Sequence, residues 1–200
     1  MSLNLFGSPS AHPSTVENER LEQMGALEPI AARARRRAVR AGDTEIDTGH
    51  LLHALLESDE RALGLVTQLP TQATRLMGYL AQRSIGFGRD WRPGEGANAI
   101  RPRLSAPLAP PGWSRSAAAA LERAALAALI RDRGEPDVLD LLAELVSDSE
   151  CRAAAMLLGA GVELQGTVAR VRAAAGRAAE QDEDGADEDG ADDDGAGVGR

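Results

Sequence analysis

Apolar positions along this chain fall at helical spacing, and one order of segments occurs twice. Leu27, Ile30, Ala31, Ala34, Ala38 and Ala41 lie within one arc of a helix. Pro29 suits its first turn, where a missing N–H costs nothing. Gly42 suits the residue that ends it, and Arg36, Arg37 and Arg40 complement the dipole of its last turns. Asp47 or Thr48 caps a short helix carrying Leu51, Leu52, Leu55 and Leu56. Asp59 caps a third helix, broken at Pro70. Thr71 opens a fourth, with Ala73, Leu76, Met77 and Leu80 at i, i+3, i+4 and i+7.

The second set begins at Ser114, which caps a helix with Ala118, Leu121, Ala125, Ala128 and Leu129 on one side. Trp113, just before the cap, has the place of the outer half of a hydrophobic staple, or of an aromatic in a binding groove. Asp137 caps the next helix, and the run from Ser147 to Glu150 has capping-box spacing for the one after. Gly159 and Gly161 stop that helix, and Leu164, Val168, Val171 and Ala175 form the final stripe. Leu51, Leu52 and Leu55 recur as Leu141, Leu142 and Leu145, a constant offset of ninety positions. Ala32–Leu69 and Ala117–Val162 therefore read as one unit written twice, each burying its apolar face on the other.

Only 2% of residues are aromatic, so the core rests on Leu, Val, Ile and Ala, the best helix former. The expected fold is all-α. The domain boundaries follow: a flexible leader over 1–25 with a short helix over 15–24, a first repeat over 26–83, a Pro/Gly-rich linker over 84–112, a second repeat over 113–177, and an acidic disordered tail over 178–200. That tail carries ten acidic residues against one Arg, a charge of −9, which is the whole net charge of the chain. The body is neutral, a poor nucleic-acid binder by bulk electrostatics.

All 22 basic residues are Arg. Without Lys there is neither a P-loop nor Schiff-base catalysis, and codon bias accounts for the composition. The single Cys151 forms no internal disulfide and reads as a small apolar residue on a helix. The opening residues lack the basic and apolar regions of a secretory signal, and no run is long and apolar enough to span a membrane. A cytoplasmic location is expected.

On these residues the chain resembles the Clp N-terminal domain, the paired four-helix repeat that precedes the ATPase rings of Clp-type AAA+ unfoldases. The family pattern runs from a helix ending in Gly through roughly Ile-Gly-Thr-Glu-His-Ile-Leu-Leu. Gly42, Ile46, Thr48, His50, Leu51 and Leu52 match it here, as do Asp140, Leu141, Leu142, Ala153, Ala154, Leu157, Gly161 and Val162 in the second unit. The resemblance covers about residues 26–82 and 113–175. It implies a non-catalytic domain that binds substrates and adaptors. In ClpC-type members the Glu of each motif also reads phosphorylated arginine. Here Gly49 stands at the first Glu position and Val138 or Leu139 at the second, so that property does not carry over. An ATPase is not expected within these 200 residues, which hold no Lys for a Walker A motif.

The expected function is an adaptor or regulator beside a Clp unfoldase–protease, partnered by its ATPase, clients or adaptors. An alternative is a decoy that sequesters a peptide ligand or client aimed at Clp N-domains; a regulator on nucleic acid ranks below both. The candidate partner-binding residues are the stripe Arg33, Arg36, Arg37 and Arg40, with Thr48, His50 and Trp113. The stripe reads first as solvated helix surface, then as a dock for an acidic partner, this chain's own tail included. His50 and His53 stand one turn apart, but zinc wants a third ligand and none is evident. No catalytic residue, cofactor or metal is expected.

Overall fold

The computed structural model describes Arg20, residues 24–84 and residues 110–186. Over them the chain is all-α. After a short 3-10 turn, Gly25–Leu27, come eight helices among the described residues: α1 Glu28–Ala41, α2 Thr48–Ser58, α3 Glu60–Val66, α4 Pro70–Ser84, α5 Arg115–Ile130, α6 Val138–Ser147, α7 Arg152–Gly159 and α8 Leu164–Ala186. Two-residue strands β1, Glu45–Ile46, and β2, Gly112–Trp113, pair in parallel with Ile46 opposite Trp113. None of these helices is long and apolar enough to cross a membrane. Most of the leader, of its short helix and of the linker, and the last part of the tail, lie outside the described residues.

Local chemistry sets most helix ends. Pro29 sits in the first turn of α1, and Gly42 closes it in the left-handed region at φ 65°, its N–H donating to the carbonyls of Ala38 and Val39. The Asp47 and Asp137 side chains each accept from the backbone N–H three residues on, and that residue's side chain accepts from the Asp backbone in return. Thus His50 closes the box of α2 and Asp140 closes that of α6. The Asp59 carboxylate caps α3, and the Ser114 hydroxyl caps α5.

Helices α2 and α6 form the centre. Every residue from Thr48 to Leu56 is buried, as is every residue from Leu139 to Val146 except Glu144. A helix apolar on all sides belongs inside a core. The two Leu triplets, Leu51, Leu52 and Leu55 with Leu141, Leu142 and Leu145, are 0% exposed. Helix α2 touches α1 and every helix from α3 to α7, while α6 touches α2, α3, α5, α7 and α8. The first four helices and the last four consequently share one continuous core. Trp113, 1% exposed, belongs to that core beside Ile46.

Three details differ from the expected pattern. Helix α5 buries Ala117, Ala118, Ala120, Leu121, Ala124 and Ala128, while Leu129 is 62% exposed. An Ala-rich helix carries apolar side chains on every face, so period alone leaves the inward stripe uncertain by one position. Helix α7 is capped by Cys151, whose sulfur accepts from the Ala154 N–H at 3.4 Å. Ser147 instead ends α6, and its hydroxyl turns back to the Ala143 carbonyl at 2.6 Å. Helix α8 continues through Ala186, past the start of the acidic run. Ala, Glu and Gln propagate a helix readily once packing has nucleated it.

Candidate functional site

The arginine stripe of α1 divides in two. Arg33 and Arg37 converge on Glu57 of α2, at 3.4 and 2.5 Å, and Arg37 Nη1 lies 3.1 Å from His53 Nδ1. The Arg37 hydrogen bond holds the Glu57 carboxyl below its usual range. These two arginines fasten α1 to α2. Arg36 and Arg40 are exposed, with no ion pair among the described residues.

His53 is 4% exposed, and a permanently charged guanidinium donates to its Nδ1. Burial first, and the Arg37 charge second, push its pKa down to about 4. The folded value lies below the unfolded one, so the unfolded chain takes up the proton first as pH falls. The stabilisation is complete above about pH 6.5 and is lost toward pH 4. Between pH 7 and 4.5 this group is expected to remove about 2 kcal/mol of stability. Urea unfolding of the wild type and of His53→Gln at both pH values checks it. The gap between the two proteins should shrink by that amount at pH 4.5; an unchanged gap rejects the assignment.

Thr48 and His50 serve the junction of the two halves. His50 Nδ1 accepts from the Asp47 backbone N–H at 3.0 Å, and Nε2 lies 3.2 Å from the Asp43 carboxylate. The Thr48 hydroxyl accepts from the Ala153 N–H at 3.1 Å, so α2 caps the start of α7 across the junction. Arg152 of α7 pairs with Asp47. Burial raises the Asp47 carboxyl, but the hydrogen bond and charge of His50, with Arg152, outweigh it and leave the group below its usual value. A Cβ on Gly49 would lie 2.7 Å from Met156 Sδ, so a side chain there meets the tip of the methionine that α7 lays on this end of α2. Thr48→Val is expected to cost about 1–2 kcal/mol, a drop in Tm of about 3–6 °C. Thr48→Ser, which keeps the hydroxyl, should recover most of it; equal losses in both would remove the cap from the account. His50 and His53 thus have separate neighbours. Among the described residues no three His, Cys, Asp or Glu side chains are grouped to hold a metal.

In the second half, Asp140 takes the place ninety positions after His50. Its carboxylate is 0% exposed, pairs with both Arg131 and Arg133, and accepts from the Asp137 backbone N–H at 3.0 Å. Arg133 also reaches Asp137 at 3.2 Å. This cluster ties the α5–α6 connection to the start of α6.

A cavity of about 520 Å³ lies between residues of the two halves. The end of α3, the α3–α4 connection and the first turns of α4 form one wall. The α7–α8 connection and α8 form the other. Val66 and Ala160, 1% and 2% exposed, lie beneath it in the core, and Leu69, 62% exposed, stands at its rim. Exposed Arg75 and half-buried Arg170 also line it. Arg170 is oriented by bonds from Nε to the Leu65 carbonyl, 3.0 Å, and from Nη2 to the Thr167 hydroxyl, 2.8 Å. Glu163 spends both carboxylate oxygens on the Gln165 and Gly166 N–H groups that open α8. The Gln72 side chain bridges the walls, donating to the Gly161 carbonyl at 3.1 Å.

Of the residues singled out in the sequence, Thr48, His50 and Trp113 are buried in the junction and core, Arg33 and Arg37 are partnered, and Arg36 and Arg40 face solvent. Sequence reasoning missed Arg75 and Arg170. Neither belongs to a local motif, and 95 positions separate them. Compared with protein-family models and with curated proteins, the chain matches none.

Proposed function

We propose that this chain is a non-catalytic protein-binding module of the Clp N-terminal kind, an adaptor or regulator beside a cytoplasmic Clp-type unfoldase and protease. The repeat reading is supported by the two reciprocal capping boxes, at Asp47 and Asp137, each followed by a buried Leu triplet at the same ninety-residue offset. The observation that carries binding is the cavity between the halves. Its volume is within the range of about 300–1,000 Å³ usual for ligand clefts, and exposed Leu69 stands at its rim among polar side chains. Phosphoarginine is left out of the proposal. Gly49 lies under Met156, and Val138 and Leu139 carry no charge.

The cavity also favours a second reading, a decoy that sequesters a short peptide. The two separate by what the protein retains. Affinity capture from the host lysate, with and without ATP, should enrich a Clp ATPase or its peptidase, and Leu69→Asp should abolish that enrichment. Recovery of no Clp component rejects the adaptor. A peptide-dependent rise in Tm, as RT ln(1 + [L]/Kd), would then favour the decoy.

A further inference from the structure

We infer that the outer face of α5 is a docking surface for a segment of this same chain, Leu3 to Phe6 of the leader, which lies outside the described residues. Among the described residues the large apolar side chains left exposed are Val39, Leu69, Leu126, Leu129, Ile130 and Leu158. Three of them stand on one helix. Leu126, Leu129 and Ile130 follow the spacing i, i+3, i+4, which sets them side by side on one face of α5. They are 56%, 62% and 75% exposed. Single exposed apolar residues are ordinary, whereas three adjoining ones make a contiguous patch that gains by being covered.

The size of the patch and the place where the chain enters the fold select the occupant. The three residues together leave bare about the surface of two whole aliphatic side chains, well short of the about 800 Å² that each partner of a stable complex covers. A second copy or a free protein must also offset its lost translational freedom, so it is poorly matched to this face. A tethered segment avoids most of that loss, because attachment holds it at an effective concentration of about millimolar. The leader is attached at the right place. The Glu135 carboxylate occupies the space that a Cβ on Gly25 would need. The chain therefore enters the fold against the α5–α6 connection, where Glu135 stands five residues after Ile130. Leu3, Leu5 and Phe6 are the closest grouping of large apolar residues before Gly25, and the segment from Leu3 to Phe6 carries no charge. The 18 positions between Phe6 and Met24 span about 27 Å even as continuous helix, more than the about 24 Å length of α5. The tether reaches the patch.

The test places the photoreactive residue benzoylphenylalanine at position 6 of the full chain and maps the crosslink by mass spectrometry after trypsin digestion. Cleavage at Arg123 and Arg131 releases residues 124–131, which carry all three patch residues. The expected product is an intramolecular crosslink to that peptide, with a yield independent of protein concentration. Leu126→Asp should cut the yield by about fivefold or more, since covering a carboxylate with apolar groups is costly. Leu126 is exposed, so Tm should stay unchanged in that variant. A crosslink to any other peptide, or an undiminished yield in Leu126→Asp, would overturn the assignment. A crosslink between chains whose yield grows with concentration would give the face to a second copy and overturn it too. Failure to crosslink from positions 3, 5 and 6 alike has the same consequence.

Discussion

Asp140→Ala is expected to lower stability by about 4 kcal/mol. Two contributions add in one direction. The carboxylate is 0% exposed, and its removal strands Arg131 and leaves Arg133 only its contact with Asp137; the two arginine side chains are 29% and 12% exposed. Breaking a buried ion pair from one side costs about 3–5 kcal/mol; partial exposure of both arginines places this case at the lower end. Loss of the reciprocal cap, in which Asp140 accepts from the Asp137 N–H, adds about 1 kcal/mol. For a chain of this size the sum corresponds to a fall in Tm of about 8–16 °C. Asp140→Asn keeps the shape and one acceptor and should lose less. Thermal unfolding followed by circular dichroism checks the pair. A loss below 1 kcal/mol in Asp140→Ala would mean the two arginines find water at no cost, and that the cluster is surface chemistry.

Gly49→Glu is expected to destabilise by about 3 kcal/mol, because a buried charge without a partner is costly. The substitution places a carboxylate where the resembled Clp pattern has one. At the N-terminus of an exposed helix an added carboxylate would gain about 0.3–1 kcal/mol from the dipole. Here the new Cβ would lie 2.7 Å from Met156 Sδ and 3.1 Å from Asp47 Oδ1. The methionine tail can bend away, so Gly49→Ala should cost little. A glutamate must either bury its charge against Met156, beside the Asp47 carboxylate, or push α7 off α2. The loss wins by a wide margin. Gly49→Glu should therefore melt about 6–12 °C lower and gain no affinity for a phosphoarginine peptide. A variant that binds such a peptide at undiminished Tm would show that the junction opens freely.

Helix ends and the two central helices were legible because their causes are local. An Asp three residues before its capping partner, a Pro in a first turn, or a Gly just after a last turn acts within one helical turn. Runs as apolar as Leu51–Leu56 and Leu139–Val146 have nowhere to go but inside. Legibility failed where several faces were equally apolar, as on α5, and where a hydroxyl could serve either the helix it ends or the helix it precedes, as with Ser147.

The chain by itself thus determined an all-α fold, its caps, and the Leu triplets that become its core. Tertiary structure alone decided which residues remain available for function. Packing of α1 on α2 spent Arg33 and Arg37 on Glu57 and left Arg36 and Arg40 to solvent. The crossing of α2 and α7 took Thr48 into a cap for the other half and placed Gly49 beneath Met156. Docking of the α3–α4 connection against the α7–α8 connection brought Arg75 and Arg170 onto one cavity. Caps obey short-range geometry that any reading of spacing captures. A cavity between segments some ninety residues apart exists only once a shared core has fixed how the two halves meet.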